Sequence, residues 1–151
     1  MDNMLRISNA ELSAIAHATE SIEKVTFALK NVLPSDLRGK IIFKQEHTTG
    51  HHGNPIATLR ATLTSQGDIR QLIEKIASRI SSLDRTSLTD ELDRFVDEEG
   101  TLYLRFDKQE AYLGDLHLKQ KDAIRIRVKF HGNGRKLDAM RKTCKEMGLV
   151  N

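Results

Sequence analysis

Ile124-Arg125-Ile126-Arg127-Val128-Lys129-Phe130 alternates apolar and basic residues without a break. Successive side chains of a strand point to opposite faces, so strict period two marks a strand with one face buried and one wet. The buried face here is wholly aliphatic or aromatic and the wet face wholly cationic. Residues 102–106 repeat the pattern, with Leu102, Leu104 and Phe106 pointing one way and Tyr103 and Arg105 the other. Outward from this pair, residues 40–48 and 56–64 read as two further strands, joined by a loop with two glycines and a proline. Residues 12–18, with Ile15 and small alanines, suit a buried strand on which His17 is a buried, hydrogen-bonded histidine.

Helices fill the spaces between. Thr19 is expected to cap a helix carried by Ile22, Val25, Phe27, Leu29, Val32 and Leu33, which Pro34 stops. Residues 68–81 give the clearest helical period, with Ile69, Leu72, Ile73, Ile76, Ala77 and Ile80 on one face. A shorter helix is expected over 89–96, capped by Thr89 and ended by Gly100, and a basic helix over 135–147, with Leu137, Met140 and Cys144 inward. The order β-α-β-β-α-α-β-β-α predicts an α+β fold, a curved and mainly antiparallel sheet with helices packed on one face.

A chain of 151 residues fits one domain, residues 1–151, and can bury roughly 70% of its unfolded surface without a disulfide or metal. No apolar run approaches the ~18 residues of a membrane span, and residues 1–20 lack a signal-peptide core. The one cysteine, Cys144, excludes an intramolecular disulfide and reads as a small core side chain on the last helix of a cytoplasmic protein. The net charge of +3 hides a polarity. Residues 84–99 carry seven acids against two arginines, whereas residues 117–151 carry ten bases against three acids. An anionic partner is expected for the basic end.

Several residues could meet such a partner. Arg125, Arg127 and Lys129 share one strand face about 7 Å apart, and Arg105 and Tyr103 add a guanidinium and an aromatic ring, the combination sheet-based RNA binders use. A solvated outer face is the plainer alternative. Gly132 and Gly134 precede a helix start, where backbone N–H groups favour phosphate, and Arg135, Lys136, Arg141 and Lys142 add cations. His47, His51 and His52 lie close in sequence but match no metal-ligand spacing, so no metal or other cofactor is expected. His51, His52, Gly53 and Asn54 read instead as a shaped contact loop or a plain connector. No nucleophile elbow, phosphate loop or paired-carboxylate cleft supports catalysis.

Five stretches together resemble a known family. They are Ala16-His17-Ala18-Thr19-Glu20, Gly50-His51-His52-Gly53-Asn54-Pro55-Ile56, Arg105-Phe106-Asp107-Lys108-Gln109, Gly114-x-Leu116-x-Leu118 and Asp122-x-Ile124-Arg125. Over roughly residues 8–148 the chain resembles an archaeal family of RNA-binding proteins considered as exosome subunits. That family is similar in fold to the ribosomal protein that grips 5S ribosomal RNA. The resemblance implies RNA as ligand, an RNA-processing setting with the exosome or other processing proteins as partners, and no catalytic residues. A homodimer stays open. The competing readings are a docking subunit without direct RNA recognition and a metal enzyme built on the histidine cluster.

Overall fold

A computed structural model describes residues 5–132 and 137–151. The pair of alternating stretches forms β4 (Thr101–Asp107) and β5 (Ala123–His131), joined by the short helix α5 (Lys108–Tyr112). β1 (Arg6–Ala16) is longer than its pattern suggested and runs antiparallel to β5 on one side and to β3 (Pro55–Leu63) on the other. β2 (Lys44–Thr49) pairs with β3 and completes a five-stranded antiparallel sheet in the order β2-β3-β1-β5-β4. The expected α+β class holds. Beyond the expected order, α5 and α2 (Ser35–Arg38) are short extra helices.

Period two sorts the sheet into two faces. Ala10, Leu12 and Ala14 on β1, Leu59 on β3, Ile124, Ile126, Val128 and Phe130 on β5, and Leu102, Leu104 and Phe106 on β4 are buried in one core. The helices α1 (Ile22–Val32), α3 (Gln66–Arg79) and α6 (Leu137–Glu146) cover that side, through Leu29 and Val32, Leu72 and Ile76, and Met140 and Cys144. Burial pushes the Cys144 thiol up to about 12, so it stays protonated and packs as an apolar group.

Three local expectations need correction. The cap of α1 is Ser21, whose side chain accepts from the Lys24 N–H, while Thr19 lies in the preceding turn. His17 stands beyond the end of β1 and is exposed, held by its ring Nε2 at 2.8 Å from Asp122 Oδ1. The expected 89–96 helix is instead α4 (Ser82–Asp90), capped by Ser81, followed by a 3-10 turn at Leu92–Arg94. α4 buries only Leu88, so it has almost no apolar stripe to betray it. Thr89 sits in its last turn, where its hydroxyl donates to Arg85 O and accepts from the Asn151 N–H.

The sheet's two edges differ. Beside β4, Tyr103 N–H donates to Phe95 O (2.7 Å) and Lys119 N–H to Arg105 O (3.0 Å), so residues 95–97 and 117–119 close that edge. β2 is exposed along its whole length, with charged Lys44 and Glu46 on it, the composition that discourages edge pairing. Among the described residues no helix is long and apolar enough to cross a membrane.

Candidate nucleic-acid interface

The face of the sheet away from the helices carries Lys44, Arg60, Ser13, Arg125 and Arg105. Strand register puts them in one line: Lys44 opposite Arg60, Arg60 opposite Ser13, Ser13 opposite Arg125, and Arg125 opposite Arg105. Neighbouring strands lie about 4.8 Å apart, so the row crosses the whole sheet in about 19 Å. Two of its steps, Lys44–Arg60 and Arg125–Arg105, set like charges directly opposite each other, which costs stability in a free protein. A bound anion would offset that cost.

The next row holds Thr62, Glu11, Arg127 and Tyr103. Glu11 lies between two arginines, 3.5 Å from Arg60 Nε and 3.7 Å from Arg127 Nη2, and takes up part of their charge. The Arg125 guanidinium lies 5.4 Å from the centroid of the Tyr103 ring, within cation–π range, and Tyr103 Oη donates to Asp97 Oδ2 (3.3 Å). Arg125 Nε is buried and finds no hydrogen-bond partner among the described residues. Lys129 is exposed one step further along β5. Grooves of about 590, 320 and 570 Å³ follow one another along this face and its β4 flank, Arg60 lining the first two and Arg105 the last two.

A second cluster closes one end of the sheet. Lys108, almost fully buried, places Nζ 2.8 Å from both Glu20 Oε1 and Asp122 Oδ1 and donates to Ile15 O (2.9 Å). Asp122 has φ 48°, a left-handed conformation that Asp tolerates better than most residues. His17, Glu20 and Asp122 are also the one trio among the described residues whose ligand atoms converge as a metal site's would. The Lys108 ammonium already supplies the positive charge there. Burial raises the Glu20 carboxyl, but hydrogen bonds from Lys108 and the His17 N–H, with the ammonium charge, hold it net below its ordinary value. At Asp122 burial is likewise outweighed, by hydrogen bonds from Lys108 and His17 and by their charge.

Both carboxylates are depressed in the folded state, so their contribution to stability is complete above their unfolded values and lost as pH falls through the folded ones. Lys108→Met removes the largest of the lowering contacts at both carboxylates. The variant should unfold at lower denaturant than wild type at pH 7, and the gap should narrow steadily on acidification below about pH 4. Urea titrations at pH 7 and pH 3 measure it; a gap independent of pH would assign Lys108 to packing alone.

The β2–β3 loop stands at the same end. Gly50 N–H donates to Asn54 O (2.6 Å) and Gly53 N–H to Gly50 O (3.0 Å), with Gly53 at φ 78°, where a glycine is favoured. His51 and His52 are exposed and meet edge to face with ring centroids 5.3 Å apart. His47, on β2, turns to Gln45 Oε1 (3.3 Å) instead of joining them.

The basic residues of α6 sit elsewhere. Arg135 and Lys136 lie outside the described residues. α6 turns Met140, Thr143 and Cys144 into the core on the helical side, and Arg141 donates to Thr89 O (2.7 Å). Arg141 and Lys142 therefore belong to the helical side and do not extend the row on the strand face. Conversely, sequence reading passed over Lys44, Arg60 and Ser13. Arg60 was detectable from the alternation of Thr58, Arg60 and Thr62 with Leu59, Ala61 and Leu63. From the acidic stretch, Asp84 and Glu91 line the groove beside Arg105.

Fold and face together define an α+β protein with an open basic sheet. A family model described as RNA binding matches residues 9–130, from β1 to the end of β5, and the chain belongs to that family. It is 35% identical over 148 residues to RNA-binding protein PAB1135 of Pyrococcus abyssi (strain GE5 / Orsay), covering 97% of this chain and 96% of that one. Among solved structures it is similar to protein AF2318 from Archaeglobus fulgidus, with TM-score 0.80 and 26% identity over 94% of this chain and 99% of the other. Mth689, a DUF54 protein from Methanothermobacter thermautotrophicus, superposes with TM-score 0.72 and 29% identity over 93% of this chain and 97% of the other. The matched span reaches into every strand and leaves α6 outside.

Proposed function

We propose that the protein binds RNA without catalysing a reaction on it, gripping the backbone with the row Lys44–Arg60–Ser13–Arg125–Arg105. The observation that carries this reading is the placing of like charges opposite one another on the sheet face away from the helices. Such an arrangement costs the free protein stability and is compensated by an anion that spans several strands. Tyr103, braced by Arg125, and the exposed loop of His51, His52, Gly53 and Asn54 add contacts at the margins. Family membership and the relative named as an RNA-binding protein support RNA over other polyanions. The setting we assign is RNA processing or degradation in the archaeal cytoplasm, in association with the exosome; it rests on the family resemblance.

Phosphate contacts release counterions, so affinity should fall steeply with salt, by a slope of about −0.7 per contact on a log–log plot for single strands. Fluorescence anisotropy of a labelled RNA oligomer over 50–300 mM salt measures that slope. Three or four contacts from the row give an expected slope of about −2 to −3. A folded protein that binds no RNA at the lowest salt would move the reading to a docking subunit. Phe27 on α1 and Tyr112 at the end of α5, exposed edge to face, with exposed Leu113 following, would then be the surface to test.

A further inference from the structure

The row of cations ends at Arg105 beside a cavity of about 570 Å³ between α4 and β4, large enough for a nucleobase with its sugar. Its walls combine aromatic rings, Phe95 and Tyr103, with two carboxylates, Asp84 and Glu91. Both rings are braced. The Phe95 side chain packs against the edge of the core, Tyr103 N–H donates to Phe95 O, and the Tyr103 ring is held between the Arg125 guanidinium and the Asp97 carboxylate. Rigid rings at the end of a phosphate path are what a base splayed out of single-stranded RNA stacks on.

The carboxylates decide which part of the RNA enters. They disfavour phosphate beside them. Of the three cations that line the cavity, Arg94 is paired with Glu91 at 2.7 Å and Lys119 with Asp107 at 3.3 Å, so only Arg105 is left for a phosphate among the described residues. Asp84 Oδ2 accepts from the Leu118 N–H (3.1 Å), which fixes that carboxylate too. An ionised carboxylate only accepts hydrogen bonds, and its two oxygens offer about four lone-pair sites, so each keeps acceptor capacity beyond these contacts. The matching base edge must donate. Guanine alone presents two adjacent donors, N1–H and the 2-amino group, on its Watson–Crick edge. Adenine and cytosine set a ring acceptor beside their amino group, and uracil flanks its one N–H with two carbonyls.

Resting on the sheet-face reading above, we propose that this cavity is a guanine-specific subsite, with Glu91 as the acceptor for the base edge and Phe95 as a stacking wall. Arg105 holds the adjoining phosphate and joins the cavity to the row.

The test compares labelled hexauridylate with hexamers carrying one guanine, or one adenine, at each position in turn, titrated by anisotropy across a salt series. Wild type should bind the guanine hexamer in its best register about tenfold tighter than hexauridylate, the size of one bidentate base contact. In Glu91→Gln the ratio should drop to near one while the salt slope, set by the cation row, keeps its wild-type value. Phe95→Ala should also lower the ratio, and thermal melts of both variants report whether they fold. Equal affinity for all hexamers in wild type, an equal gain from adenine, or a guanine preference that survives Glu91→Gln in a folded protein would each overturn the proposal. Loss of all RNA binding at low salt would overturn the sheet-face reading and this one with it, whereas salt-sensitive binding without guanine preference would remove the subsite alone.

Discussion

Arg105→Glu/Arg125→Glu should weaken RNA binding by about a hundredfold or more at low salt, since each lost charge-assisted contact is worth about 1.5–3 kcal/mol. The two residues face each other across β4 and β5, at the β4 end of the cation row. Removing both should also flatten the salt dependence by about 1.4 in log–log slope, because two fewer counterions leave on binding. Arg127→Glu is the informative comparison. Arg127 shares Glu11 with Arg60, so part of its charge is already satisfied within the protein, and its reversal should cost less than that of Arg105 or Arg125. Anisotropy titrations of the double variant and of the three single reversals, at Arg105, Arg125 and Arg127, across a salt series rank them directly. An Arg105→Glu/Arg125→Glu protein that melts like wild type and binds RNA within threefold of it would remove the row as the interface.

Phe106→Ala should destabilise the fold by about 3–5 kcal/mol, the range for deleting a buried aromatic ring. Phe106 is fully buried, pairs with Ile124 across the sheet and bridges to Leu118 on the far side of β4. In a chain of this size that loss lowers Tm by roughly 6–20 °C. Calorimetry or thermal circular dichroism reads it, with Leu113→Ala, at an exposed position, as a control expected to stay within about 0.5 kcal/mol of wild type. Phe106 lies between Arg105 and Asp107, whose carboxylate accepts the Glu110 N–H to cap α5 and is held below its ordinary value chiefly by that bond. The same ring thus anchors both the end of the cation row and the start of the helix that carries Lys108. A Phe106→Ala protein with a wild-type Tm would mean that this part of the core repacks without cost.

Much of the architecture was legible because its signals are local. Alternation at residues 102–106 and 124–130 marked β4 and β5, the 3.6-residue period marked α3, and Pro34 marked the end of α1. α4 escaped because a helix that buries only Leu88 leaves no period to read. His17 was misplaced because small alanines fit a strand end and a turn equally well, and only the ring's contact with Asp122 distinguishes them.

The sequence by itself determined the alternating strands, the one-sided core and the cationic character of the face opposite it, because side-chain direction along a strand follows from period two alone. Tertiary structure decided which cations stand together. Lys44, Arg60, Ser13, Arg125 and Arg105 are joined by strand register, and a slip of one residue at any pairing would turn part of the row into the core. The same is true of Glu20, Lys108 and Asp122, and of the cavity between Glu91 and Tyr103. Each is assembled from segments distant in sequence, and no local pattern records where a distant segment will come to rest.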